Sequence, residues 1–108
     1  MLSNGEQFPL DRSLVVGRKP RSPRFAPGDE PRLVALGDDY QDISRSHVLI
    51  ALDDWSVTVH DLGSTNGTWL KRVGQPDRRL GESDPVLAES GDVYDIGDGL
   101  TITLAGLP

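Results

Sequence analysis

The chain has 108 residues, 36% of them hydrophobic and 26% charged, with no cysteine and a formal net charge of −6. That is one domain's worth of near-average composition, which excludes wholesale disorder and any disulfide or thiolate-metal framework, while the acidic balance argues against general nucleic-acid binding. No apolar run approaches the roughly 20 residues that cross a bilayer, and residues 1–10 lack the basic-then-apolar pattern of a signal peptide, so a soluble cytoplasmic domain without membrane insertion is expected.

Taken in chain order, turn signals alternate with short apolar runs rich in β-branched residues. An Asn4-Gly5 turn comes first. Strands are predicted over 13–17 (SLVVG), 32–36 (RLVAL), 47–52 (HVLIAL), 55–60 (WSVTVH), 68–70 (TWL), 85–88 (PVLA), 93–96 (VYDI) and 100–104 (LTITL). Trp55, Val57 and Val59 alternate with Ser56, Thr58 and His60, and Leu100, Ile102 and Leu104 with Thr101 and Thr103, the period of a half-buried strand. No window of ten or more residues carries a helical stripe. The fold class is therefore all-β, a sandwich or barrel.

Two stretches read as irregular. Residues 19–31 (KPRSPRFAPGDEP) hold four prolines, which forbid a central strand or helix, and residues 72–84 hold Gly74, Pro76 and Gly81. The chain is expected to be a single domain over 1–108. It begins close to the first predicted strand and stops just after the last, as a domain excised from a longer protein would, or a free-standing small one. Charge is uneven: six basic and four acidic residues lie in 1–32, against five basic and thirteen acidic beyond. A basic segment on an acidic body is either scatter on a solvated loop or a local anion site.

Three polar clusters stand at the ends of predicted strands: Gly17-Arg18, Ser44-Arg45-Ser46-His47, and Ser64-Thr65-Asn66-Gly67-Thr68. Loops at strand ends of a sandwich gather at one edge, so clusters far apart in sequence can converge. Arg18 offers a planar, permanently charged fork of donors suited to phosphate. Ser44 and Thr65 add hydroxyls, and Arg45 adds a second cation or a backbone N–H. The Asn66 amide pairs with an extended peptide backbone as a strand would, and Gly67 supplies a sharp turn. Together these groups form a set for holding one phosphorylated residue and a short extended peptide.

Each cluster has a plainer reading. Arg18 can be a surface arginine, Ser44 a turn former, and Asn66-Gly67 a hairpin connection. Arg45 can point to solvent. Trp55, Trp69 and Tyr94 read as packing residues, and His60 as a strand residue without a special role.

The ordered set Gly17-Arg18, Ser44-Arg45-x-His47 and Asp61-Leu62-x-Ser64-x-Asn66-Gly67-Thr68, closed by Gly91-Asp92-Val93-Tyr94-Asp95-Ile96-Gly97 and a final apolar strand, resembles the forkhead-associated (FHA) domain from about residue 8 to 104. The resemblance implies an eleven-stranded, two-sheet sandwich with the binding loops at one edge. It implies that Arg18 and Ser44, with Arg45 and Thr65, contact a phosphate. Asn66 would bond the ligand main chain, while Gly17, His47, Gly67 and Thr68 would shape the loops. The partner would be a phosphothreonine-containing protein or peptide, with a serine/threonine kinase upstream and a small pocket for the threonine methyl. No enzyme activity, cofactor, metal or nucleic acid is expected. Asp42, two residues before Ser44, is placed to touch the ligand's C-terminal side and favour a basic residue there. Two departures are visible: the proline-rich loop after Arg18 is long, and the first strand of the family is cut short at Asn4-Gly5.

Two rival functions come from other classes. Ser44 or Ser46 with His47 and Asp61 are the residue types of a hydrolase triad, although no G-x-S-x-G elbow is present. A phosphate-independent scaffold or dimerisation domain would leave Arg18 unused.

Overall fold

The computed structural model describes residues 1–22, 27–54 and 56–107. Trp55, expected to begin a strand, and Arg24 of the basic segment lie outside the described residues. Nine strands are formed: β1 (Leu14–Gly17), β2 (Arg32–Ala35), β3 (Val48–Asp53), β4 (Ser56–Asp61), β5 (Trp69–Lys71), β6 (Arg78–Arg79), β7 (Val86–Leu87), β8 (Val93–Gly97) and β9 (Leu100–Thr103). They make a five-stranded sheet, β2-β1-β3-β4-β7, and a four-stranded sheet, β6-β5-β8-β9. No described helix is long and apolar enough to cross a membrane.

The eight predicted strands all exist, with ends moved by a residue or two. The expected count of eleven is corrected to nine among the described residues. Leu2 meets Ile102 in a single bridge before the chain turns at Gly5, where φ is 96°, and Gly81 meets Asp84 in another. One paired residue makes a bridge and cannot propagate a ladder. β6 is the strand the sequence reading left irregular. It forms because Leu80, with an apolar side chain only 3% exposed, donates its N–H to Thr68 O at 2.9 Å and pulls Arg78–Arg79 alongside β5.

β1 and β2 are parallel, and every other named pairing is antiparallel. Parallel neighbours cannot be joined by a tight hairpin; they need a crossover of about a dozen residues or more. The proline-rich connection between β1 and β2 has that length. Its size is thus a consequence of topology.

The core lies between the sheets. Leu14, Val16, Val34, Ile50, Val57, Val59 and Val86 face Leu70, Leu80, Tyr94, Ile96, Leu100, Ile102 and Leu104. In β4 and β9 every second residue is buried, as the alternation requires. Ile43, 1% exposed, belongs to this core although it sits in no strand. Burying about one such side chain is worth roughly 1.5–3 kcal/mol, and here it pins the segment that presents Ser44.

Candidate functional site

The three polar clusters meet at one rim. β1 ends against the 44–47 segment: Arg18 N–H donates to Ser44 O (3.0 Å), Lys19 N–H to Arg45 O (3.1 Å) and His47 N–H to Val16 O (3.0 Å). Gly17 is required by this approach. A Cβ there would stand 2.0 Å from Arg45 O, so no side chain fits.

The third cluster is organised by a buried carboxylate. Asp61 Oδ2 accepts from Gly63 N–H and Ser64 N–H, both at 3.1 Å, while Oδ1 accepts from the Ser64 (2.5 Å) and Thr68 (2.7 Å) hydroxyls. Ser64 Oγ in turn accepts from Gly67 N–H at 3.0 Å. This knot leaves Thr65 and Asn66 exposed at its apex, with Gly67 at φ +87°. Thr68 is fully buried.

His47 joins the second cluster to the third. Its ring is fully buried; Nδ1 accepts from Ser44 N–H (3.1 Å) and Nε2 lies 2.8 Å from Gly67 O. A backbone N–H can only donate and a carbonyl can only accept, so the ring is neutral with its proton on Nε2. Burial pushes its pKa below the usual imidazole value, against weaker opposing effects of the Gly67 bond and the Asp61 charge.

Two further bonds link the loops at the surface. Ser44 Oγ accepts from Thr65 N–H (3.1 Å), and Asn66 Nδ2 donates to Asp42 O (2.9 Å). The Ser44 hydroxyl proton, the Thr65 hydroxyl and the Asn66 Oδ1 keep no partner among the described residues. The Asn66 amide nitrogen spends one of its two N–H groups in tying the loop to Asp42.

Arg18 lies at the base. Its side chain is 22% exposed; Nε donates to Ile43 O (3.4 Å) and Nη1 stands 3.7 Å from Asp38 Oδ1. Its terminal nitrogens make no hydrogen bond among the described residues. Arg18, Gln41, Asp42, Ile43, Ser44, Arg45, Thr65 and Asn66 line one cleft of about 440 Å³. Arg45 is exposed and forms no ion pair among the described residues.

Sequence reasoning missed two contributors. Asp38, which also pairs with Lys19 at 3.6 Å, carries no motif, and only its distance to Arg18 reveals it. Asp98 accepts from Asp42 N–H at 2.7 Å and raises the Asp42 carboxyl above the ordinary range, first by a side-chain hydrogen bond and then by like-charge repulsion. The hydrolase constellation is not assembled. His47 spends both nitrogens on backbone groups, Ser44 Oγ accepts from Thr65, and the Asp61 carboxylate holds its own loop. Among the described residues no group of acids and histidines could hold a metal ion.

The loops of the two-sheet sandwich thus place a partly sheltered guanidinium beside hydroxyl-bearing residues in one cleft. The FHA domain family model matches residues 14–97, and the chain belongs to that family, an FHA-type interaction module. Among solved structures, the FHA domain of an Arabidopsis thaliana hypothetical protein is 28% identical, with 89% of this chain and 70% of that chain covered and a TM-score of 0.60. A structure from a structural and functional analysis of phosphothreonine-dependent FHA domain interactions is 23% identical over 98% of this chain and 94% of its own, with a TM-score of 0.58. Mycobacterium tuberculosis EmbR, in complex with a low-affinity phosphopeptide, is 21% identical over 90% of this chain and 21% of its own, with a TM-score of 0.57. At those identities the last two bear on the fold alone. No curated protein matches the chain.

Proposed function

We propose that the domain binds phosphothreonine in an extended segment of a partner protein without turning it over, and so reads the output of a serine/threonine kinase in the cytoplasm. The observation that carries this reading is one cleft shared by Arg18, whose terminal nitrogens meet only Asp38 at 3.7 Å among the described residues, and by Ser44 and Thr65, whose hydroxyl protons have no acceptor among those residues. A phosphate dianion needs charge-assisted donors from several directions, and it carries roughly −1.5 to −2 charge at neutral pH. Arg18 supplies the charge, Ser44 and Thr65 supply neutral donors, and Arg45 adds a second cation at the mouth. Asn66 Oδ1 accepts from a main-chain N–H of the ligand. Asp42 faces the cleft on the side where a basic ligand residue would be favoured. Membership of the FHA family supports an interaction module of this kind.

The test is calorimetric titration of matched peptides bearing Thr or phosphothreonine, with the parent domain and Arg18→Ala. Loss of a charged contact costs about 1.5–3 kcal/mol. The variant should therefore bind the phosphopeptide about ten- to a hundredfold more weakly. Equal affinity of the parent for both peptides would overturn the reading and favour a phosphate-independent scaffold.

A further inference from the structure

Arg79 is a cation outside both the motifs and the cleft. It lies on β6, opposite Trp69 of β5, and its guanidinium rests over the backbone of the third loop. A Cβ on Gly67 would stand 2.6 Å from Arg79 Nε, so the glycine makes the room this arginine occupies. The placement is held from below, since Leu80 is buried and bonded to Thr68 O.

Its surroundings are informative because the chain is acid-rich. Of the ten lysines and arginines in the described residues, seven have a carboxylate within 4.0 Å: Arg12, Arg18, Lys19, Arg32, Lys71, Arg72 and Arg78. The three without one are Arg21, Arg45 and Arg79. Arg45 lines the cleft, the Arg21 backbone bonds Ser46 Oγ at 2.9 Å, and Arg79 covers Gly67. All three border the same rim. The adjoining Arg78 is paired with Asp84 at 3.0 Å, so β6 does not lack acids to offer.

The third loop thus stands between two depressions. On one side is the Arg18–Ser44 cleft. On the other, Arg79 lines a shallow hollow of about 350 Å³ with Asp61, Gly63, Ser64, Leu80, Gly81 and Glu82. Asp61 is committed to its loop, and Glu82 leans on Gly63 without an ion-pair contact to Arg79.

We propose that Arg79 forms a second anion subsite, which takes an acidic side chain or a second phosphate on the same ligand. The proposal rests on the phosphothreonine reading and adds flanking-residue selectivity to it. An extended peptide that crosses the third loop from the cleft would present the second anion on a residue flanking the phosphothreonine. Glu82 lines the same hollow, repels the anion and limits the gain.

The experiment titrates singly phosphorylated peptides with neutral flanks against the same peptides carrying Glu, or phosphoserine, at each flanking position on both sides. The readout is the affinity ratio of flanked to neutral peptide, for the parent, Arg79→Ala, Arg79→Gln and Glu82→Gln. One position should raise parent affinity about fivefold. The ratio should fall to near one in both Arg79 variants and rise in Glu82→Gln. A gain from Glu identifies a carboxylate ligand, and a gain from phosphoserine alone identifies a second phosphate. Either result supports the subsite. A parent ratio near one at every position, or a ratio undiminished by Arg79→Gln, overturns it while leaving phosphothreonine binding intact. Failure of the parent to bind even the neutral-flank phosphopeptide overturns both.

Discussion

His47 and Gly67, twenty residues apart, are joined by a buried bond of 2.8 Å from the ring to the backbone carbonyl. Because the other ring nitrogen holds Ser44 N–H, one imidazole sets the spacing between the loops that carry Ser44 and Asn66. His47→Ala would leave two backbone groups without partners, each costing about 1–3 kcal/mol. A stability loss of about 2 kcal/mol or more, together with weakened phosphopeptide binding, is expected from urea denaturation and calorimetry.

The same ring makes the free domain acid-sensitive. Its folded pKa lies below the unfolded value of 6.5, so the unfolded chain takes up the proton first. The stability contribution is full above 6.5 and is lost as pH falls through the folded value. Thermal melts without ligand should show this decline, and His47→Gln should flatten it. Melting the free domain separates the effect from titration of the ligand phosphate, whose second pKa is about 6.

Gly17→Ala should cost about 2–3 kcal/mol through overpacking, since the new methyl meets the Arg45 carbonyl at 2.0 Å and the three bonds around it must stretch. The φ at Gly17 is not in the left-handed region, so the penalty is steric. A shifted urea midpoint with an unchanged m-value would fit. A neutral effect would mean that the β1–loop approach is looser than 2.0 Å implies.

Asp38 and the ligand phosphate compete for Arg18. An exposed pair of this kind is worth about 0.2–1 kcal/mol. Asp38→Asn should therefore tighten phosphopeptide binding about two- to fivefold, the opposite of Arg18→Ala. The difference from the parent should shrink in high salt, as for any exposed charge.

At the other end of β5 and β8, away from the loops, Arg72 grips the buried Asp92 with two bonds of 2.8 and 2.7 Å. Glu89 and Tyr94 complete the cluster. The Arg72 bonds hold the Asp92 carboxyl below its ordinary range, with backbone and tyrosine bonds assisting, and the partnership raises Arg72. Arg72→Ala should cost about 3 kcal/mol by leaving a buried charge unpaired, with phosphopeptide affinity nearly unchanged. The Asp92 contribution is present above 3.8 and lost as pH falls through its lower folded value. The parent should lose that stability in acid, and the variant should have little left to lose there.

Much of this was legible in order and spacing. Period-two alternation marked β4 and β9, and turn residues separated the strands, because strand faces and turns obey local rules. Gly17, Arg18, Ser44, His47, Asn66 and Gly67 were readable as a set, although the need for Gly17 was not. That need comes from a carbonyl 28 residues away. β6 escaped because two arginines beside proline and glycine show no apolar pattern; its pairing is decided by Leu80.

The sequence alone determined the elements and the chemical inventory: short strands, an excess of acid, and one guanidinium flanked by hydroxyl and amide residues. These depend on neighbours along the chain. The tertiary structure decided which of those groups remain free. One N–H of the Asn66 amide is taken by Asp42, Arg18 is shared with Asp38, and Arg79, over Gly67, has no ion pair among the described residues. Availability depends on distances between segments joined only through the core, and no local rule sets those distances.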